Sequence, residues 1–535
     1  MTLATLVAAV RSVILAASNL GHERESVRTP TPHPASALGA LAAVLLLAAC
    51  TPASSADEPA SGTRQFGAIA FEPCSLSGAG GGPSTAAQCA SFEVAEDRAQ
   101  PDGRRIALDI AWLPAGTQGG DTGDPVFFLA GGPGQAATEH AATVNLALRE
   151  VRKQRDIILI DQRGTGGSNP LDCRDATGEP LPMEEVDPTS LTALTDYARQ
   201  CAASLQGRAD SRHYTTTDAV ADLDAVRSAL GVAQVNLVGG SYGTRVAQQY
   251  AATYPQHTRT VVLDGVVPND LVVGGEFAHT FEDALALQSA QCQQLPACRA
   301  RFETDLRAQL RQVMDTLETT PVEVDYRDPG TGEARRDTVT ADTLTTLAFV
   351  FSYAPQTAAL LPLVIDEAAQ GRYAPLMALT RMATANVSDQ MTRGMQWSVL
   401  CAEDADRLQA DAHAAGTVLG AELARMFFAP CAVWPAGERP AGFDAPFESE
   451  LPVLLLSGEL DPVTPPRYGE RVAADLPNGR HLVLRGQGHG AMTLGCVPKL
   501  LAQFIESTDA GALDDGCLES LSYVPPFTSF NGWEP

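Results

Sequence analysis

Six short apolar runs, each stopped by a glycine-rich or acidic turn, constrain this chain more than any other feature. They are DPVFFLAGGPG (124–134), RDIILIDQRGTGGS (155–168), VNLVGG (235–240), TRTVVLDGVVP (258–268), LPVLLLSGELDPVTP (451–465) and RHLVLRGQGHG (480–490). Runs this short and this continuously apolar suit strands buried on both faces, the situation in a parallel sheet covered by helices. Helical spacing between the runs points the same way. TTTDAVADLDAVRSALG (215–231) reads as a helix with Thr217 as N-cap and Gly231 as its stop, and TRVAQQYAATYP forms another after VNLVGG. RRIALDIAWLPA (104–115) alternates like a half-buried strand. The expected fold class is α/β, with a mostly parallel, doubly covered sheet.

The rhythm changes after Pro268. Segments such as FEDALALQSAQCQQL and LRAQLRQVMDTLETT are helical, and VEVDYRDPGTGEARRDTVT reads as a hairpin. The strand pattern then resumes near 451. The economical organisation is a core in two parts, residues 67–268 and 446–535, interrupted by a helical cap insertion over 269–445. A chain of 535 residues has room for both units.

Residues 1–50 read as a lipoprotein signal peptide. ALGALAAVLLLAAC places small residues before Cys50, the pattern in which the cysteine is acylated. Residues 51–66, including TPASSADEPASGT, read as a flexible tether. The expected location is therefore outside the cytoplasm, on the periplasmic or outer side of a membrane, held by lipid at Cys50. Setting Cys50 aside leaves ten of the 11 cysteines, which fall into sequence neighbours: Cys74 with Cys89, Cys173 with Cys201, Cys292 with Cys298, Cys401 with Cys431, and Cys496 with Cys517. An even set in an exported chain reads as disulfides. No CxxC pair or adjacent histidine supports a metal site. The net charge of −27 argues against nucleic acid or an anionic membrane surface as a partner.

NLVGGSYGTRVA (236–247) sets Gly-x-Ser-x-Gly between a strand and a helix. That turn lifts a serine hydroxyl above the sheet, and the helix N-terminus favours the negative charge that develops there, so Ser241 is the candidate nucleophile. Serine needs a base and the base an orienting acid, in the order Ser, Asp or Glu, His. His489 in GQGHG follows the last strand-like run, and Asp461 in GELDP follows the one before. His481 precedes its strand, while His140, His213, His257, His279 and His413 lack a strand-end setting. Asp264 in VLDG is a rival acid, with Asp461 preferred. AGGPG (130–134) ends an early strand, so the N–H groups of Gly132 and Tyr242 are the candidate oxyanion donors.

These residues together resemble the α/β-hydrolase fold, and within it the proline iminopeptidase and tripeptidyl aminopeptidase group. The resemblance rests on GGPG (131–134), DQRGTGGS (161–168), GGSYG (239–243), GELDPVTP (458–465) and GHG (488–490), and covers roughly residues 100–535. Length and cysteines are closer to the secreted branch of that group. Ala130 departs from the histidine that usually precedes the glycines, a change that leaves backbone donors in place. The resemblance implies a helical cap over the site, no cofactor, and hydrolysis of peptides from a free N-terminus through an acyl-enzyme. It also implies acidic cap residues for the substrate ammonium group. WSVLCAEDADR (397–407) offers Glu403 and Asp404 for that role, with Trp397 and Tyr242 as pocket aromatics. A carboxylesterase or lipase would use the same triad without an anionic subsite.

Overall fold

The computed structural model describes residues 62–531, apart from 79–81, 117–122, 176, 184–185, 187–189, 303–304, 389–390 and 412. The expected signal segment, Cys50 and most of the tether lie outside the described residues. The tether's expected end at 66 is too late, because Arg64–Phe66 already pairs as a strand with Ile69–Phe71.

The strands in chain order are β1 Arg64–Phe66, β2 Ile69–Leu76, β3 Thr85–Ala95, β4 Arg105–Leu113, β5 Val126–Leu129, β6 Ile157–Ile160, β7 Val235–Gly240, β8 Thr258–Asp264, β9 Val322–Arg327, β10 Ala334–Val339, β11 Val453–Gly458 and β12 Gly479–Leu484. Ten of them form one sheet in the order β1-β2-β3-β4-β6-β5-β7-β8-β11-β12. From β6 to β12 the pairings are parallel, and β1 to β4 add an antiparallel wing. The apolar runs explain the parallel part. Phe127, Ile158, Leu237, Val261 and Leu455 pack on one face, while Val126, Ile157, Val238, Val262 and Leu454 pack on the other, so both faces need apolar residues.

β8 and β11 lie side by side although 188 residues lie between Asp264 and Val453, and the intervening chain forms helices with the β9–β10 hairpin. This insertion has its own core, including Phe281, Leu310, Val313, Leu347, Phe351 and Val364. The helix Thr216–Ala229 starts two residues earlier than expected. Thr215, not Thr217, is its N-cap, because Thr215 and Asp218 exchange side-chain to backbone hydrogen bonds in a capping box. Gly231, with φ of 72°, follows its end.

All five neighbour pairs of cysteines are disulfide-bonded: Cys74–Cys89, Cys173–Cys201, Cys292–Cys298, Cys401–Cys431 and Cys496–Cys517. None of the described helices is long and apolar enough to cross a membrane. The Cys173–Cys201 bridge spans 28 positions and its two cysteines are buried. On loop-closure entropy it stabilises the fold by about 3–4 kcal/mol. Replacing both cysteines by serine should therefore lower the unfolding midpoint, measured by thermal or denaturant melting under oxidising conditions, while adding reductant should remove most of the difference from the wild type.

Candidate active site

Parallel strands bring their C-terminal ends to one edge, and that edge carries the chemistry. Ser241 follows β7 at φ 55° and ψ −125°, a strained setting for a residue with a side chain, and starts the helix Tyr242–Thr253. The neighbouring glycines are required sterically. A Cβ at Gly239 would meet the carbonyl of Gly243, and one at Gly243 would meet the carbonyl of Leu129 at the end of β5. Ser241 N–H donates to the Asp264 carbonyl at 2.8 Å, tying the turn to β8. Its hydroxyl makes no side-chain hydrogen bond among the described residues.

His489 lies beyond β12, with Nδ1 2.7 Å from Asp461 Oδ2. Asp461 lies beyond β11 and is clamped by its own loop. Its Oδ1 accepts from the N–H groups of Val463 (2.9 Å) and Thr464 (2.8 Å), and its Oδ2 accepts from the Thr464 hydroxyl at 2.8 Å. That hydroxyl is also 3.0 Å from His489 Nδ1. His489 N–H donates to the Tyr353 carbonyl of the cap at 2.7 Å, so the cap holds the histidine loop directly. Burial alone would lower the His489 pKa, but the Asp461 charge and hydrogen bond outweigh it, and the net value lies above the ordinary 6.5. Burial would raise Asp461, yet the His489 charge holds it below the ordinary carboxylate value.

Asp264, the rival acid, has a different task. Its oxygens accept from Ala491 N–H at 2.9 and 2.8 Å and from Met492 N–H at 2.9 Å, fixing the chain just after His489. Burial raises its pKa to about 6, opposed by those N–H groups.

Ser241 and His489 line one cavity of about 1040 Å³ between the sheet edge and the cap. Gly132 lines it too, at φ 107° in the loop that ends β5. Neither the Gly132 N–H nor the Tyr242 N–H has an acceptor among the described residues; Tyr242 is the first residue of its helix, where no intrahelical acceptor exists. The loop is steadied by DQRGTGGS. Asp161 accepts from the N–H of Thr138 (2.8 Å), the hydroxyl of Thr138 (2.9 Å) and the N–H of Gly167 (3.1 Å), while Arg163 pairs with Asp222 at 2.6 and 2.8 Å.

The expected amine anchor needs correction. Glu403 and Asp404 are fully buried and neither lines the cavity. Glu403 accepts from the N–H and hydroxyl of Thr216 at 2.7 and 2.9 Å, and Asp404 is paired with Arg245 at 3.1 Å and Arg407 at 2.6 Å. Burial raises the Glu403 pKa to about 7, opposed by the Arg245 charge. They lock the cap's return onto the nucleophile helix, where Arg245 is the fourth residue after Ser241. Apart from Arg407, their partners Thr216 and Arg245 lie more than a hundred positions away, so the local sequence resembles a solvent-facing acidic helix end. Trp397 is also in the core, packed on Tyr197 and Trp434, and not in the cavity. Tyr242 borders the cavity, but its hydroxyl points inward to Thr216 (2.5 Å) and Gln162 (3.2 Å). Arg245 and Thr464 escaped the sequence reading, although a cation on the buried face of the elbow helix is itself a signal that an acid must be near.

Removing one partner from such a buried pair leaves an uncompensated charge. Asp404→Asn should cost about 3 kcal/mol or more in denaturant unfolding. Glu403→Gln, by contrast, should leave the enzyme's preference between free and acetylated substrate N-termini unchanged, as read from kcat/KM.

Residues 124–322 match the family described as alpha/beta hydrolase fold, and residues 416–517 match the family described as TAP-like protein. The chain is 32% identical over 235 residues to the serine protease Hip1 of Mycobacterium tuberculosis, covering 40% of this chain and 42% of that one. It is 32% identical over 193 residues to the tripeptidyl aminopeptidase of Streptomyces lividans (34% of this chain, 35% of that one). It is 30% identical over 148 residues to the proline iminopeptidase of Xylella fastidiosa (28% and 34%). The match thus spans less than half the length of these curated relatives.

Proposed function

We propose that this chain, whose residues 124–322 match the alpha/beta hydrolase fold family and whose residues 416–517 match the TAP-like family, is an exported serine peptidase that cleaves short peptides from a free N-terminus. The observation that carries the reading is the strand-end constellation: Ser241 on its elbow, and His489 held by Asp461, both opening on one cavity under the cap. The printed names of the relatives, a serine protease, a tripeptidyl aminopeptidase and a proline iminopeptidase, support a peptidase. A cavity roofed by a cap suits a chain end better than the middle of a folded chain. The five disulfides fit an oxidising compartment, and acylation at Cys50 would hold the enzyme there.

In this mechanism Ser241 attacks the substrate carbonyl while His489 takes its proton, and Asp461 keeps the imidazole oriented and stabilises its charged form. The Gly132 and Tyr242 N–H groups hold the oxyanion. His489 returns the proton to the departing amine, giving an acyl-enzyme that water hydrolyses with the same histidine as base. No step calls for a cofactor.

One observation favours a second reading, an ester hydrolase. The described residues lining the cavity include no glutamate and one aspartate, Asp264, whose oxygens already accept backbone N–H groups. A substrate ammonium ion would then be met by neutral acceptors alone.

Hydrolysis of tripeptidyl- and aminoacyl-naphthylamides, each with free and acetylated N-termini, beside a p-nitrophenyl ester, separates the two. A peptidase of this kind cleaves only the free forms; ester cleavage indifferent to acetylation overturns it. Ser241→Ala should lower kcat by on the order of 10⁶-fold and Asp461→Asn by on the order of 10⁴-fold. His489 must be neutral to accept the proton, so kcat/KM should fall as pH drops through its raised pKa, placing the acid limb above pH 6.5. In Asp461→Asn the residual activity should show that limb moved to lower pH, because the carboxylate that raises the His489 pKa is gone.

A further inference from the structure

The cavity is lined mainly by apolar side chains, among them Phe128, Val144, Phe277, Phe349, Val350 and Phe427. Its titratable lining, among the described residues, is His140, Tyr242, Asp264, Tyr353, Arg393 and His489. Burial pushes the His140 imidazole down to about 4, so it is neutral in the working range. Asp264 is occupied by backbone N–H groups, and His489 is engaged with Asp461. Among the described residues, Arg393 is therefore the one arginine or lysine on this lining, and it is partly buried.

No ion pair joins Arg393 to an acid among the described residues. Its guanidinium donates from Nη1 to Gln396 Oε1 at 2.9 Å, one turn along its own helix. A guanidinium carries five N–H donors in a planar fork, so this neutral bond leaves most of the fork unsatisfied. Burial, only weakly offset by Tyr197, pulls the Arg393 pKa below the ordinary arginine value, the signature of a cation without a counter-charge. Among the described residues the buried arginines are each matched by an acid: Arg163 with Asp222, Arg155 with Asp124, Arg245 with Asp404.

Its position relates it to the reacting bond. Arg393 opens the helix Arg393–Glu403, whose N-cap residue, Thr392, supplies no side-chain cap. The positive end of that helix therefore has the same sign as the side chain. Thr392 N–H donates to the Gly134 carbonyl at 2.9 Å, and Met391 packs beside Gly132. The two residues before Arg393 thus rest on the loop that carries the candidate oxyanion donor.

We propose that Arg393 is a substrate-binding residue that captures a carboxylate of the substrate in the same cavity as Ser241. The planar fork suits bidentate contact with a carboxylate, which would supply the charge the cavity lacks. Two sources share this chemistry: an aspartate or glutamate side chain near the scissile bond, and the C-terminal carboxylate of a short peptide. The assignment rests on the peptidase reading for the identity of the substrate, but not for the role of the cation.

The test measures kcat/KM for matched pairs with wild type, Arg393→Gln and Arg393→Lys. Tri-alanyl-naphthylamide with Glu or Gln placed in turn at each position reports a side-chain carboxylate. Tetra-alanine against its C-terminal amide reports a terminal one. The p-nitrophenyl esters of succinic and butyric acid report recognition without any peptide. Wild type should favour the carboxylate member of at least one pair by about tenfold or more. That ratio should collapse towards one in Arg393→Gln and be partly kept in Arg393→Lys, whatever the rate on the neutral member. The pair that shows the preference identifies the source. If no peptide is cleaved but the succinate preference is present and lost in Arg393→Gln, the cation's role stands and the peptidase reading falls. No carboxylate preference in any pair, or one that survives in Arg393→Gln, overturns the proposal, and the wild-type comparison decides even if a variant fails to fold.

Discussion

A Cβ on Gly243 would collide with the carbonyls of both Leu129 and Ala130, so the start of the nucleophile helix rests directly on the end of β5. That contact dictates the rest of the site. It forces the chain to turn at Ser241 with a positive φ, and so aims the hydroxyl out over the sheet edge. It also brings the Tyr242 N–H beside the loop that carries Gly132. A larger residue at either flanking glycine would separate the elbow from β5 and pull the nucleophile away from its donors. The strain at Ser241 persists because β5 and β8 hold the turn from either side: Gly243 lies against Leu129, and the Ser241 N–H is bonded to Asp264.

Around this turn, four buried carboxylates do different work because their surroundings differ. Asp461 touches the imidazole and stays below the ordinary carboxylate pKa, as an orienting acid must. Asp264 holds the backbone after His489, and Asp161 holds Thr138 after the candidate oxyanion loop and Gly167 in its own turn; burial raises both to about 6. Glu403 is raised further, to about 7, and serves the packing of the cap's return against Thr216. All four thus accept hydrogen bonds from backbone N–H groups, which fixes the chain segments around the site. The geometry of the candidate site is an outcome of those clamps as well as of the Asp461–His489 contact.

The sheet and the strand-end placing of Ser241, Asp461 and His489 were legible in the sequence because their causes are local. Continuous apolar runs of strand length, each broken by a turn, have no other stable use, and a glycine on each side of a serine between strand and helix reports a steric crossing. The disulfides were legible for a related reason, since each closes a short loop between neighbours. The antiparallel strands Ile69–Leu76 and Thr85–Ala95 were not read, because cysteines, a proline and polar residues interrupt their alternation. The role of Glu403 and Asp404 was misread for a deeper reason. Two adjacent carboxylates at a helix end look solvent-facing until Arg245 and Thr216, both far away in the chain, are brought against them. Charge compensation inside a fold is a long-range property that composition and spacing do not carry.

That same property distinguishes the cavity from the rest of the interior. With the two candidate anions committed elsewhere, the balance of charge around the substrate is positive, from Arg393 and from the helix it opens. A peptide entering by its ammonium group would find neutral acceptors and a cation that repels it; a peptide bearing a carboxylate would enter with its charge matched. The two requirements are compatible if the ammonium is kept distant from Arg393, so that a carboxylate and the free N-terminus bracket the scissile bond between them. Length selection would then follow from electrostatics: the separation between the two charged ends of a short peptide, not a single anionic anchor, would set which bond lies over Ser241.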